Sequence, residues 1–273
     1  MKNLLFKDKK IESFYDEKPF GLYNYLDHSI NLSDDFDYIE LQNGDKFKLV
    51  QDEENQFFED KPFNGHETLI SEKFKLDIKE ALKLLTGFVD EYDFFKRNVD
   101  IIWPLRRKDN AQVSELTSSI YPKMTDTIFI SQKANIHVPP VNISKKENKY
   151  ILAENLFHEA IHLFVNKLIL NYELIKASIA PVDHKFEIPW RRNSSKRNQY
   201  WEIDRVLHAA SVYSCLIDFR AQVIKKTDSD KEINRFFVDS VESAKENYTY
   251  LKDILMQNTD LFTDFGNEYI KNV

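Results

Sequence analysis

The residues in this chain best suited to chemistry are His158-Glu159-Ala160-Ile161-His162. Histidines four apart on a helix leave one face about a turn from each other, and two imidazoles so placed can both reach a single metal ion at ~2.0–2.1 Å. Glu159 stands beside that face, where a carboxylate can take a proton from metal-bound water or steady a ligand through a hydrogen bond. Chance would produce this pattern on the order of 0.01–0.02 times per chain of this composition, so a pair of core histidines beside a coincidental glutamate is the weaker account.

The flanking residues sharpen the reading. Leu152, Leu156, Phe157, Ile161, Leu163, Phe164, Val165 and Leu168 make the segment apolar on nearly every side, as a buried helix requires. Against them Asn155, His158, Glu159, His162 and Asn166 fall at i, i+3, i+4, i+7 and i+11, a single polar stripe. A polar stripe in a buried helix needs partners.

Two imidazoles alone hold a metal weakly, so a third donor must come from elsewhere. The metzincin arrangement is excluded, because Val165 and Leu168 occupy the positions where those proteases carry glycine and histidine. His208, His184, His137, Glu173, Glu187 and Glu202 remain. His208 is the preferred third ligand, since it sits in the largely apolar stretch WEIDRVLHAASVYSCLIDF, where Asp204, Arg205, His208 and Ser211 form a second inward polar stripe.

These side chains need rigid elements to hold them. The periodicity predicts long helices over about Ile151 to Ile175, Tyr200 to Lys225 and Lys231 to Gln257, with a shorter one closing the chain. Between the first two runs a loop with Pro181, Pro189 and the basic run Arg191 to Arg197. Upstream, Ile78, Leu82, Leu85, Phe88 and Val89 predict one helix from Asp77 to about Val99. Thr127 to Ile130 reads as a strand and Ile136 to Val138 as a weaker one. Ile39, Leu41, Phe47 and Leu49 alternate around Asn43-Gly44-Asp45 and predict a hairpin over Tyr38 to Val50. The expected fold is mainly α with a small antiparallel β-sheet, α+β, with the metal site between two long buried helices. Residues 1–273 are expected to form a single catalytic domain whose first 75 residues are irregular.

Bulk composition agrees. With 273 residues and 42% hydrophobic content the chain can bury a large core, and five glycines leave little material for tethers. A net charge of −7, with acids and bases dispersed, argues against nucleic acid as a partner. Cys215 is the only cysteine, which excludes an internal disulfide or a cysteine zinc cage and fits a reducing compartment. No run approaches the ~20 apolar residues of a membrane span. A cytoplasmic location, away from membranes, is the expectation.

The order Phe157-His158-Glu159-Ala160-Ile161-His162, then Pro189-Trp190-Arg191, then Arg205 and Leu207-His208-Ala209, resembles the HExxH-type, 2-oxoglutarate-dependent peptide β-hydroxylases that tailor ribosomally made peptides. The likeness covers about Ile151 to Phe219 and departs from the family at Arg192 to Gln199, where a tighter Pro/Gly-containing segment is usual. It implies that His158, His162 and His208 bind Fe(II), leaving positions for 2-oxoglutarate and O₂. It also implies that Arg191 or Arg205 grips the far carboxylate of 2-oxoglutarate, and that the substrate is a peptide hydroxylated at a β-carbon. The residues taken without the resemblance favour a zinc metallopeptidase of gluzincin type instead. In that version Glu159 is the general base, Glu202 the third ligand, and the strand Thr127 to Ile130 holds an extended substrate.

Overall fold

A computed structural model describes residues 36–51, 63–138, 142–192 and 199–273. The expected hairpin is present: β1 (Phe36–Glu40) pairs antiparallel with β2 (Lys46–Val50), with Ile39 opposite Phe47. Its turn closes through Leu41 N–H to Asp45 O, and Gly44 has φ +86, a conformation that costs a glycine little. Most of the irregular part expected over residues 1–75, namely 1–35 and 52–62, lies outside the described residues.

Beyond it come β3 (His66–Thr68), α1 (Glu72–Leu85), α2 (Val89–Asn98), β4 (Ile101–Arg107), β5 (Ser118–Ile120) and β6 (Thr127–Ser131). The single helix expected over 77–99 is two. Ser71 caps α1 by accepting from Phe74 N–H, so the helix begins at Glu72, five residues before the expected start. The helix then stops at Thr86-Gly87, and Val89 begins a second one whose buried face is Tyr92, Phe94 and Phe95.

β4 was not anticipated, because Pro104 in Ile101-Ile102-Trp103-Pro104-Leu105 argues against an interior strand. The sheet accommodates it. A residue's N–H and C=O point to the same side of a strand, and Pro104 O accepts from Leu69 N–H, away from β6. The missing donor therefore removes no bond to β6. β4 runs parallel to both β2 and β6, while β3 and β5 pair antiparallel with β4 and β6. The six-stranded sheet has the order β1-β2-β4-β6-β5, with β3 also on β4. Trp103 stacks on Phe129 at 5.3 Å and, with Phe63, Ile101 and Leu105, packs a core around the sheet.

β6 is thus paired on both edges, with β4 and β5, and has no free ladder to offer an extended substrate. That removes the substrate role expected of Thr127 to Ile130. A small pair, β7 (His137–Val138) with β8 (Asn142–Ile143), precedes α3 (Lys149–Tyr172).

The remaining elements are β9 (Lys185–Glu187), β10 (Tyr200–Glu202), α4 (Ile203–Lys226), α5 (Lys231–Gln257) and α6 (Asp264–Asn272). The proline-bearing loop is more ordered than the sequence implies: β9 pairs antiparallel with β10, and 3-10 turns form at Pro181–Asp183 and Pro189–Arg191. Asp230 caps α5 through Ile233 N–H, and Arg220, buried on α4, donates to Ser240 O on α5 at 2.7 Å. Gly266 lets α6 approach the strand-like stretch at Leu174 so closely that a Cβ would stand 2.0 Å from Leu174 O.

The chain adopts a helix-rich α+β fold, in which the main sheet is mixed. It forms two compact units, one ending at Leu163 and the other beginning at Phe164, with the boundary inside α3. Among the described residues no helix is long and apolar enough to cross a membrane.

Candidate metal centre

Asn148 starts α3 by accepting from Tyr150 N–H at 2.8 Å, a helix cap that covers one of the orphan donors of the first turn. Every residue from Ile151 to Ile161 is then buried. Asn155, on the expected polar stripe, shares its amide donors among Ala134 O at 3.1 Å, His137 O at 2.8 Å and Ile151 O. These bonds fix the rotation of α3 about its axis, and with it the direction in which residues three, four and seven positions on must point.

Those residues converge. His158 and His162 bring their Nε2 atoms to 3.0 Å, with ring centroids 4.8 Å apart. Glu159 is 3% exposed, and its Oε1 stands 3.9 Å from His158 Nε2. Ser118 on β5 donates to that same Oε1 at 2.6 Å. Burial pushes the Glu159 carboxyl up to about 8, and the Ser118 hydrogen bond opposes the shift only in part. In the metal-free protein the group therefore titrates near neutral pH, where a proton can be taken or given.

The spacing of the two nitrogens can be compared with a coordination shell. Two donors ~2.0–2.1 Å from one ion lie ~2.9 Å apart at a right angle and ~3.4 Å apart at the tetrahedral angle. The observed 3.0 Å also suits an N–H···N hydrogen bond between neutral rings. The separation of the imidazole nitrogens is thus compatible with either arrangement. Among the described residues no group of three His, Cys, Asp or Glu side chains stands together in a way that could hold a metal.

No protein-family model matches this chain, and no curated protein does.

The other expected site residues lie in the unit that begins at Phe164. His208 is on α4, largely enclosed, and burial pushes its imidazole down to about 4, so it is neutral and able to donate a lone pair at ordinary pH. Arg205, a turn earlier, lays its guanidinium over Trp201 at 4.6 Å. Trp201 meets Trp190 edge-on at 6.1 Å, Trp190 meets Tyr250 at 5.7 Å, and Arg191 follows Trp190 in the same turn. The Nε atom of Arg191 is buried without a hydrogen-bond partner. Of the two expected carboxylate-binding arginines, Arg205 thus stacks on one member of a tryptophan pair and Arg191 follows the other in the chain.

Of the rival third ligands, three have other contacts and a fourth stands exposed. Glu202 pairs with Lys185 at 3.7 Å, and Glu187 accepts from Arg192 at 3.0 Å. His137 Nδ1 shares a 2.6 Å hydrogen bond with the Thr117 hydroxyl. Glu173 is exposed at the end of α3, with φ 46. Sequence reasoning missed Ser118, whose contact with Glu159 spans 41 positions and leaves no periodic trace. It also missed Trp201 and Tyr250, although Trp190 was visible beside Arg191.

Proposed function

We propose that this chain is a metal-dependent peptide-modifying enzyme, an Fe(II)- and 2-oxoglutarate-dependent oxygenase that hydroxylates a residue of a ribosomally made peptide. The observation that carries the reading is the 3.0 Å approach of the His158 and His162 Nε2 atoms beside the buried Glu159.

In this reading His158, His162 and His208 are the protein ligands, His208 being chosen from its sequence context. Fe(II) held there supplies the activation of O₂ that no side chain can perform. The chain's own groups do the rest. The neutral imidazoles donate lone pairs, and Glu159 holds or accepts a proton at Oε1 close to His158. Arg191 and Arg205 offer planar forks for the far carboxylate of 2-oxoglutarate, Arg205 already ordered by its stack on Trp201.

The test is anaerobic reconstitution with Fe(II), followed by 2-oxoglutarate, O₂ and candidate peptides. We expect succinate and a product heavier by one oxygen atom, and loss of stoichiometric iron in His158→Ala and His208→Ala. Zinc-dependent cleavage of the peptide would replace this reading with the hydrolase. A purified protein that retains no transition metal would end both.

A further inference from the structure

Helix geometry places Glu159 beside the histidines, but it leaves the carboxyl group free to turn about three side-chain bonds. The selection comes from across the fold. We infer that Ser118 is the positioning residue for Glu159, and that the segment from Glu115 to Ser118 is a braced rail that holds its hydroxyl in place. The inference rests on the reading of Glu159 as part of a metal centre and adds a residue and a supporting structure that this reading lacks.

The rail needs explaining on its own terms. β5 has three residues and lies at the end of the strand order, a position where a ladder so short frays. Yet the three residues leading into it and its first residue are each tied down. Lys133 Nζ donates to Glu115 O at 3.2 Å, and Leu116 N–H donates to His66 Nε2 at 3.1 Å. Ser131 donates its hydroxyl to Leu116 O and its N–H to Thr117 O. The Thr117 hydroxyl engages His137 Nδ1, and Ser118 reaches Glu159.

Two histidines outside the proposed ligand set are thereby accounted for. His66 is 1% exposed, and its other nitrogen, Nδ1, donates to Phe63 O at 3.3 Å, so both ring nitrogens are used to clamp this backbone. His137 grips the rail with its side chain, while its backbone carbonyl takes the Asn155 amide of α3. Rail and helix are thus fastened to the same stretch, and the gap that Ser118 and Glu159 bridge is set from both sides. Such bracing, far in excess of what a three-residue strand needs, is what a hydroxyl requires if it is to hold a reacting group to a few tenths of an ångström.

Ser118→Ala and Ser118→Thr decide the matter, the second keeping the hydroxyl. In metal-free crystals Glu159 should leave its single position in the alanine variant and keep it in the threonine variant. In the Fe(II)-loaded enzyme the alanine variant should lose about 10- to 100-fold in kcat. Its iron content and its KM for 2-oxoglutarate should be unchanged, and threonine should restore the rate. If the loaded protein cleaves peptides with zinc instead, the same pair is read on that rate. An alanine variant with unchanged kcat, or with Glu159 unmoved, overturns this inference and leaves the metal reading standing. A wild-type protein that binds no metal overturns both, since Glu159 would then have nothing to be positioned for.

Discussion

Replacing Glu159 by glutamine should make the metal-free protein far less sensitive to rising pH. Burial lifts this carboxyl from the ordinary 4.5 to about 8, so the folded chain keeps a proton that the unfolded chain gives up. Because the folded value is the raised one, the group's contribution to stability is fully present below 4.5 and is lost as pH climbs towards 8. Each pH unit in that window costs ~1.4 kcal/mol, and integration from pH 5 to pH 8 gives roughly 3–4 kcal/mol. Glutamine keeps the shape and the Ser118 hydrogen bond but never ionises. Any pH-independent penalty of its amide cancels when the two pH values are compared. The assay is urea unfolding of chelator-treated wild type and Glu159→Gln at pH 5 and pH 8, followed by the fluorescence of the three tryptophans. Equal dependence on urea concentration in both proteins confirms a like-for-like comparison. We expect wild type to lose about 3 kcal/mol more than the variant between the two conditions. Parallel losses would refute the claim that Glu159 is held in a low-dielectric site.

His208 should act at the other end of the scale. Its folded value is depressed, to about 4, so the unfolded chain takes up the proton first and stability falls as pH drops from about 6.5 towards 4. The loss should reach about 2–3 kcal/mol, allowing for the ring's residual contact with solvent, and His208→Leu should flatten the acid limb measured by the same unfolding assay. Gly266→Ala tests a purely steric point. The added methyl would meet the Leu174 carbonyl, which is backbone and cannot rotate away, so calorimetry should show a lower Tm and a cost of about 1–3 kcal/mol. An unchanged Tm would mean that α6 is not docked against Leu174.

Much of the helical framework was legible because it repeats. The third long helix was expected over Lys231 to Gln257 and spans those residues, and the histidine helix differs from its expected bounds by two or three residues at each end. A 3.6-residue period sustained over six turns survives almost any tertiary context. The break between α1 and α2 was hidden because Ile78, Leu82, Leu85, Phe88 and Val89 keep the helical spacing through it. The strand at Ile101–Arg107 was hidden because Pro104 is hostile to a strand in general, and harmless only where its lost donor faces away from β6.

The candidate site divides along the same line. Sequence alone determined that His158, Glu159 and His162 share one face of a buried helix, since four-residue spacing and an apolar surround require nothing beyond helical geometry. Tertiary structure decided how that face is furnished. Asn155 sets the roll of α3, Ser118 takes hold of Glu159 from 41 positions away, and burial alone raises its carboxyl to about 8. It also joined Arg205 to Trp201 and Trp201 to Trp190 across a loop that reads as merely basic. Local periodicity is written in neighbouring residues, whereas the dielectric around a carboxyl and the hydroxyl that reaches it depend on which distant segments the fold brings alongside.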